Sequence, residues 1–407
     1  MKIQTKLNKK EKYLLACSFG PDSMALFDYL IKENIYFEIA HVNYHILEQA
    51  DNDEKCIRDY ARKFNIKVHV LETEMPLDIN EEDWARDVRY DYFGEVAITT
   101  GIKNVLVAHN EDDVIETFLL QQERNNIVSY YGLKYKLVRK KYNVIRPLLN
   151  YTKDSLLKYC LENDVPYSID PSNYDTKFKR NFFRHNVVSR LSEAERNEIL
   201  RDIDLKNHEI ARILLQVDRI AGYEKITIDK KFFLKYDEEM FNYILIKMIQ
   251  NKGFYVPISK GAASEIYKAL KSKNANWKYQ LKDDLYLFYE YGNLSIHGKQ
   301  SEYFYVIDEA DVPGLFTINS NAANFDLVKD KFPLIVKKAN LFDSFKYDGK
   351  TLKVNRQFIS WKVPLSIRDI WPGIYDKDLN LLYVPKYQKS VQDNNGLLKF
   401  NLKDIYN

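Results

Sequence analysis

The residues with the clearest chemical potential are Ser18-Phe19-Gly20-Pro21-Asp22-Ser23, set between an apolar run and a helical pattern. A turn there directs backbone N–H groups and a helix N-terminus at one point, which suits an anion and above all a phosphate. No Gly-Lys-Ser or Gly-Lys-Thr follows, and the glycines do not fall as G-x-G-x-x-G, so neither common phosphate loop is present. Taken alone, Asp22 and Ser23 also fit an ordinary helix cap.

A second group lies in LVAHNEDDVIET at 106–117, with His109 ending a predicted strand and Asp112, Asp113 and Glu116 opening a predicted helix. Asp113 and Glu116 share a helix face by their spacing. Acids in a first turn also complement the helix dipole, a structural reason for their presence. A phosphate loop after the first strand and acids at the end of a later strand fall on one sheet edge, where α/β folds bind ligands. Together they point to Mg²⁺-nucleotide chemistry.

Cations form the third group. Residues 124–146 carry seven Lys or Arg and no acid, and residues 177–190 carry five and no acid, with Phe178, Phe182 and Phe183 interleaved. Clustered positive charge beside flat side chains is what phosphate neutralisation and base stacking require, although a charge run is commonly a solvated face. Arg86 and Arg89 accompany Tyr90 and Phe93 on another predicted helix. His69, His208 and His297 show no metal-ligand spacing and are read as structural.

The elements that must position these groups alternate regularly. Strand-like runs at 12–18, 36–42, 66–71 and 103–108 are separated by helical patterns at 22–33, 48–64, 81–99 and 112–122. This predicts βαβ units and a Rossmann-like parallel sheet, placed at 1–200. A charged helix is expected over 192–222, then helices at 237–251 and 260–271 and a β meander with a Gly-Asn turn at 292–293, giving a helical domain with a β flap over 201–300. Short Pro- and Gly-punctuated apolar runs predict a β-rich module at 301–407.

Composition bounds the classes. The chain of 407 residues is 45% hydrophobic and 29% charged, a folded-protein profile with length for two or three domains. No apolar stretch approaches a membrane span and no signal peptide is read. Three scattered cysteines without a CxxC pair argue against a disulfide framework and fit a reducing cytoplasm. The net charge of +3 leaves any polyanion binding to local clusters.

The ordered motifs resemble those of the tRNA(Ile)-lysidine synthetases, within the PP-loop ATP pyrophosphatases: SFGPDS at 18–23, HVN at 41–43, ARDVRYDYF at 85–93, AHNEDDVIETFLLQ at 108–121, RPLL at 146–149, DPSN at 170–173 and RNFFRH at 180–185. Beyond residue 200 the resemblance is confined to SIRDIWPG at 366–373. It implies ligation of free lysine to C2 of the wobble cytidine of a CAU-anticodon tRNA(Ile), through an adenylated intermediate, with ATP and Mg²⁺ consumed or required and AMP and pyrophosphate released. By the same resemblance, Ser18, Phe19, Gly20, Pro21, Asp22, Ser23, His41, Asn43 and His109 would bind ATP, and Asp22 and Asp112 would hold Mg²⁺. Asp113 and Glu116 would receive the lysine amine, and Arg180 would neutralise charge on the adenylate or hold tRNA. Arg86, Arg89, Arg124, Lys179, Arg184, His185 and the C-terminal module would contact tRNA.

The chain departs from the family pattern at Phe19, where glycine is usual, at Tyr44 and Leu47, and at Arg124-Asn125-Asn126 in place of a glycine-rich segment. Phe19 is expected in a β-like conformation with its ring away from the phosphates. Rival readings are a PP-loop tRNA thiolase, which would need paired cysteines or an iron–sulfur cluster, an amidotransferase-type synthetase, which would need a glutaminase domain, and a non-catalytic nucleotide- or RNA-binding relic.

Overall fold

A computed structural model describes residues 3–45, 48–76, 81–139, 141–169, 179–220, 227–272, 276–298, 302–347, 349–387 and 396–401. Leu47, Phe178 and the DPSN stretch at 170–173 lie outside these. The chain divides into two compact units, Met1–Leu214 and Leu215–Asn407.

The first unit is built on β1 (Tyr13–Ala16), α1 (Pro21–Lys32), β2 (Phe37–Asn43), α2 (Glu48–Arg62), β3 (Val68–Glu72), α3 (Glu81–Thr100), β4 (Asn104–Val107), α4 (Glu111–Arg124), β5 (Lys136–Val138), β6 (Asn143–Ile145), α5 (Lys153–Glu162), α6 (Lys179–Asn186) and α7 (Glu193–Ile220). Its six strands run in the order β3-β2-β1-β4-β6-β5, parallel except for β5. The predicted strands and helices up to residue 124 are present within about three residues of their expected ends. The antiparallel β5–β6 hairpin was not expected: it lies in the basic stretch, where Lys and Arg outnumber the apolar residues that mark a strand.

Leu14 and Leu15 show why β1 is central. Successive strand residues point to opposite faces, and Leu15 packs with Met24, Phe27 and Tyr159 while Leu14 packs with Tyr90, Phe93 and Val144. Both faces of the sheet are thus covered, α1 and α5 on one side and α3 on the other, as a parallel sheet requires. In register, Ala16 of β1 stands beside Ala40 of β2 and Val107 of β4. The residues just beyond, Ser18, His41 and His109, therefore emerge at one edge. A smaller cluster of Val114, Phe118 and Ile203 seats α4 on α7. The sequence-based break at 200 falls inside α7, and the compact first unit extends to Leu214.

The second unit contains α8 (Lys230–Phe233), α9 (Glu238–Asn251) and α10 (Lys260–Lys271), with a four-stranded sheet in the order β7 (Thr227–Asp229), β10 (Asn293–Gly298), β9 (Leu285–Glu290), β8 (Asn276–Lys282). The β9–β10 turn is centred on Tyr291-Gly292, both at positive φ, one residue before the expected Gly-Asn pair. Such a turn matches the twist of the paired strands. An antiparallel four-stranded sheet follows, with two short two-stranded ribbons. No described helix is long and apolar enough to cross a membrane.

Candidate active site

The loop Ser18–Ser23 joins β1 to α1 over a well-packed base. Gly20 is the N-cap of α1 and supplies no side-chain cap, and Pro21 opens the helix, a position where its missing N–H costs nothing. The Ser23 hydroxyl donates to the Gly20 carbonyl at 3.0 Å and accepts from the Ser18 amide at 3.3 Å, closing the loop on itself.

The backbone of this loop corrects the expectation for Phe19. Phe19 adopts φ 63°, in the left-handed region, while its ring is buried with Met24 and Tyr29 in the main core. A non-glycine residue there carries a penalty of about 1–2 kcal/mol, offset here by ring burial. Gly20 has φ −72° and ψ 160°, open to any residue, and an added Cβ would meet only the Ser18 hydroxyl at 3.5 Å. The family's usual glycine at position 19 thus answers a conformational demand, whereas Gly20 answers none from the protein itself.

Asp22 is the loop's charged group. Its Oδ2 accepts from Asn110 Nδ2 at 3.2 Å, while its Oδ1 is buried without a hydrogen-bond partner. Burial first, and the nearby Asp113 carboxylate second, push its carboxyl up to about 7. An orphaned buried carboxylate oxygen suits a hard divalent cation, so Asp22 fits the Mg²⁺ that a PP-loop chemistry implies. The other proposed ligand, Asp112, is held by Arg196 of α7 at 2.9 Å, and the acid that acts on Asp22 is Asp113.

Asn110 and Asp113 form a capping box at the start of α4: Asn110 Oδ1 accepts the Asp113 amide at 3.1 Å and Asp113 Oδ2 accepts the Asn110 amide at 3.0 Å. The pattern Asn-x-x-Asp before an apolar run signals this cap in the sequence, yet Asn110 was not singled out there. The remaining oxygen of Asp113 faces Arg184 Nη2 at 3.2 Å and Arg180 Nη2 at 3.5 Å. Burial raises the Asp113 carboxyl, but His109, Arg180, Arg184 and the Asn110 amide outweigh it and hold the group below its ordinary value.

Glu116, one turn on, is 0% exposed. Arg184 grips it through Nε at 2.6 Å and Nη2 at 3.1 Å, and Arg180 Nε adds a contact at 3.2 Å. Burial pushes its carboxyl up, and the Arg184 guanidinium pulls it back. Arg180 and Arg184, one turn apart on α6, therefore point into the site and pair with its acids. Lys179 instead makes an exposed ion pair with Glu123 at 2.7 Å, and Arg124 is exposed at the end of α4. His185, also on α6, is half-buried.

His41 and His109 are each held in a fixed orientation by one hydrogen bond. His41 Nδ1 donates to the Cys17 carbonyl at 2.8 Å, leaving a buried Nε2 without a partner. Burial lowers its basicity. His109 accepts from Arg146 Nε at 2.9 Å, and burial drives its ring down to about 3, so Nδ1 is unprotonated. Asn43 is turned to α2, donating to Asp51 at 2.8 Å and Glu54 at 3.0 Å.

Arg86 and Arg139 both lie over the Tyr90 ring, at 5.1 and 4.2 Å from its centre. Arg89 interacts with Tyr44, whose hydroxyl donates to the Ala85 carbonyl at 2.7 Å. Tyr44, which replaces a family histidine, thereby ties β2 to α3. Further on, the degraded segment keeps one glycine that matters: Gly132 has φ +68°, and a Cβ there would approach Val114 Cγ1 to 2.9 Å.

The sheet, parallel but for β5, carries the Ser18–Ser23 loop between its first strand and first helix, the layout of a PP-loop protein, and residues 1–191 match the PP-loop domain family. The chain is 32% identical to the tRNA(Ile)-lysidine synthase of Mycoplasma mycoides, over 91% of this chain and 95% of that one. It is 32% identical to the enzyme of the same name from Mesoplasma florum over 91% and 96%, and 33% identical to that from Malacoplasma penetrans over 68% and 96%. The chain belongs to the tRNA(Ile)-lysidine synthase family.

Proposed function

We propose that this chain ligates free lysine to C2 of the wobble cytidine in a CAU-anticodon tRNA(Ile), in the cytoplasm, using ATP and Mg²⁺. The observation that carries this reading is the extent of the likeness, which covers both units and nearly the whole length of the relatives, not the PP-loop domain alone.

The cytosine C2 oxygen is a poor leaving group, so two steps are needed. In the first, that oxygen attacks the α-phosphate of ATP and pyrophosphate leaves; in the second, the lysine ε-amine attacks C2 and AMP leaves. Ser18, Gly20, Ser23 and the first amides of α1 would receive the pyrophosphate end. Asp22 would hold Mg²⁺, which when bound neutralises phosphate charge. His41, through its free Nε2, would accept a hydrogen bond from the nucleoside.

Asp113 and Glu116 are our assignment for the lysine amine. An ammonium is no nucleophile, and Glu116, with its carboxyl raised by burial, is suited to take the proton. Arg184 spans both acids, so the amine must displace part of that contact. Arg180 would stay to neutralise the adenylate. Arg86, Arg89, Arg124, Lys179, His185 and the C-terminal β-rich module are proposed tRNA contacts.

Mass analysis of nucleosides after incubating tRNA(Ile) with the protein, ATP, Mg²⁺ and lysine tests the reading. Lysidine with equal AMP and pyrophosphate is the expected result. Lysine-independent AMP release without lysidine would refute it.

A further inference from the structure

Beyond the loop itself, one contact fixes its strained peptide. The Phe19 carbonyl accepts the backbone N–H of Ser168 at 3.0 Å. Ser168 follows α5, and its hydroxyl donates to Oδ2 of Asp53 at 2.8 Å. Asp53 is a buried carboxylate on α2, itself held by Gln49 Nε2 at 2.7 Å. The Phe19 carbonyl is thus tied through Ser168 to α2.

A trans peptide sets its C=O and N–H in opposite directions. With the Phe19 carbonyl drawn to Ser168, the Gly20 N–H is aimed the other way. Burial of the Phe19 ring offsets the strain at φ, but ψ, and with it the direction of the following peptide, is left to the Ser168 hydrogen bond. We infer that Ser168, steered by Asp53, is a positioning residue that locks the Phe19–Gly20 peptide so that the Gly20 N–H faces the phosphates of ATP. A glycine at 19 adopts positive φ freely, so the clamp matters most because this chain carries phenylalanine. The inference rests on ATP binding at the PP-loop, but not on the identity of the acceptor.

The test is calorimetric ATP affinity of the full chain, with lysidine formation measured separately. Ser168→Ala keeps the backbone N–H but frees it from its anchor on Asp53, and weakens ATP binding by up to about tenfold in the natural background, a ceiling set by the penalty of a left-handed non-glycine residue. In the Phe19→Gly background the same change costs about twofold or less. Ser168→Thr keeps the hydroxyl and holds affinity within about twofold, and Asp53→Asn falls between. Thermal melts confirm that each variant is folded, and Asp53→Asn, made in both backgrounds, carries the comparison if the alanine variant is not. Equal losses in both backgrounds, or undiminished affinity in Ser168→Ala, would overturn the clamp. ATP binding that follows this pattern without lysidine formation would leave the clamp standing and remove the proposed ligation.

Discussion

At the residue scale, positions 19 and 20 separate two reasons for a glycine. Gly20→Ala meets no forbidden φ and no close atom, so its melting temperature should match the parent's while ATP turnover falls sharply because the added Cβ stands where phosphate must approach. An active, equally stable Gly20→Ala variant would show that the phosphates lie elsewhere. Phe19→Gly relieves about 1 kcal/mol of backbone strain but empties a buried ring site worth about 3–5 kcal/mol, so it should melt lower. Asp22 gives a pH signature. Its carboxyl binds protons more tightly folded than unfolded, so its contribution to stability declines as pH rises from about 4 through about 7. Asp22→Asn should therefore raise the melting temperature at pH 8, by up to about 4 kcal/mol of stability, and leave it nearly unchanged at pH 4. The reverse order would mean the buried oxygen is already satisfied.

At the element scale, α6 is fastened to α4 by the Arg184–Glu116 pair. Removing Arg184 leaves the fully buried Glu116 with only its Arg180 contact at 3.2 Å, so Arg184→Ala should cost up to about 3 kcal/mol in urea unfolding, whereas Arg184→Met with Glu116→Gln should cost much less. Equal losses would place the cost in packing. The same helix shows what could and could not be seen from sequence. Its motif RNFFRH stood out by family resemblance and as cations beside aromatic rings, whereas the strand-turn-helix at 12–33 and the acids of α4 were legible because apolar periodicity and turn residues are local signals. The inward turn of Arg184 was not, since a helix pattern gives neighbours along one face but not which element lies opposite. Likewise Ser168, Arg146 and Arg196 lie 37 to 149 residues from the partners they serve, and only the fold brings them to the site. The φ of Phe19 was misjudged because ring burial, a tertiary effect, overrode the conformational preference of the residue.

At the scale of the whole molecule, a net charge of +3 gives no general attraction to RNA, so recognition falls to particular cations. Lys179 is exposed and its pair with Glu123 is a weak surface bridge, readily exchanged for a phosphate. Lys179→Ala with Arg124→Ala should lower tRNA affinity and flatten the slope of log affinity against log salt by about 1 to 2. A slope as steep as the parent's would turn both residues to solvent.

Cys17 precedes the Ser18–Ser23 loop and its thiol donates to the Ser23 hydroxyl at 3.7 Å, while Cys160 donates from α5 to the Pro21 carbonyl at 3.3 Å, so two thiols lie against the loop from the same core. Both are buried and their acidity is suppressed by burial, Cys160 to about 12, whereas Cys56 is exposed. An alkylating reagent therefore reads the molecule as a clock: Cys56 is modified at once, and the other two only when the loop or α5 opens. If nucleotide closes the loop, ATP slows the labelling of Cys17 and Cys160 together and leaves the rate at Cys56 unchanged, and peptide mass analysis reports local opening without any turnover being measured.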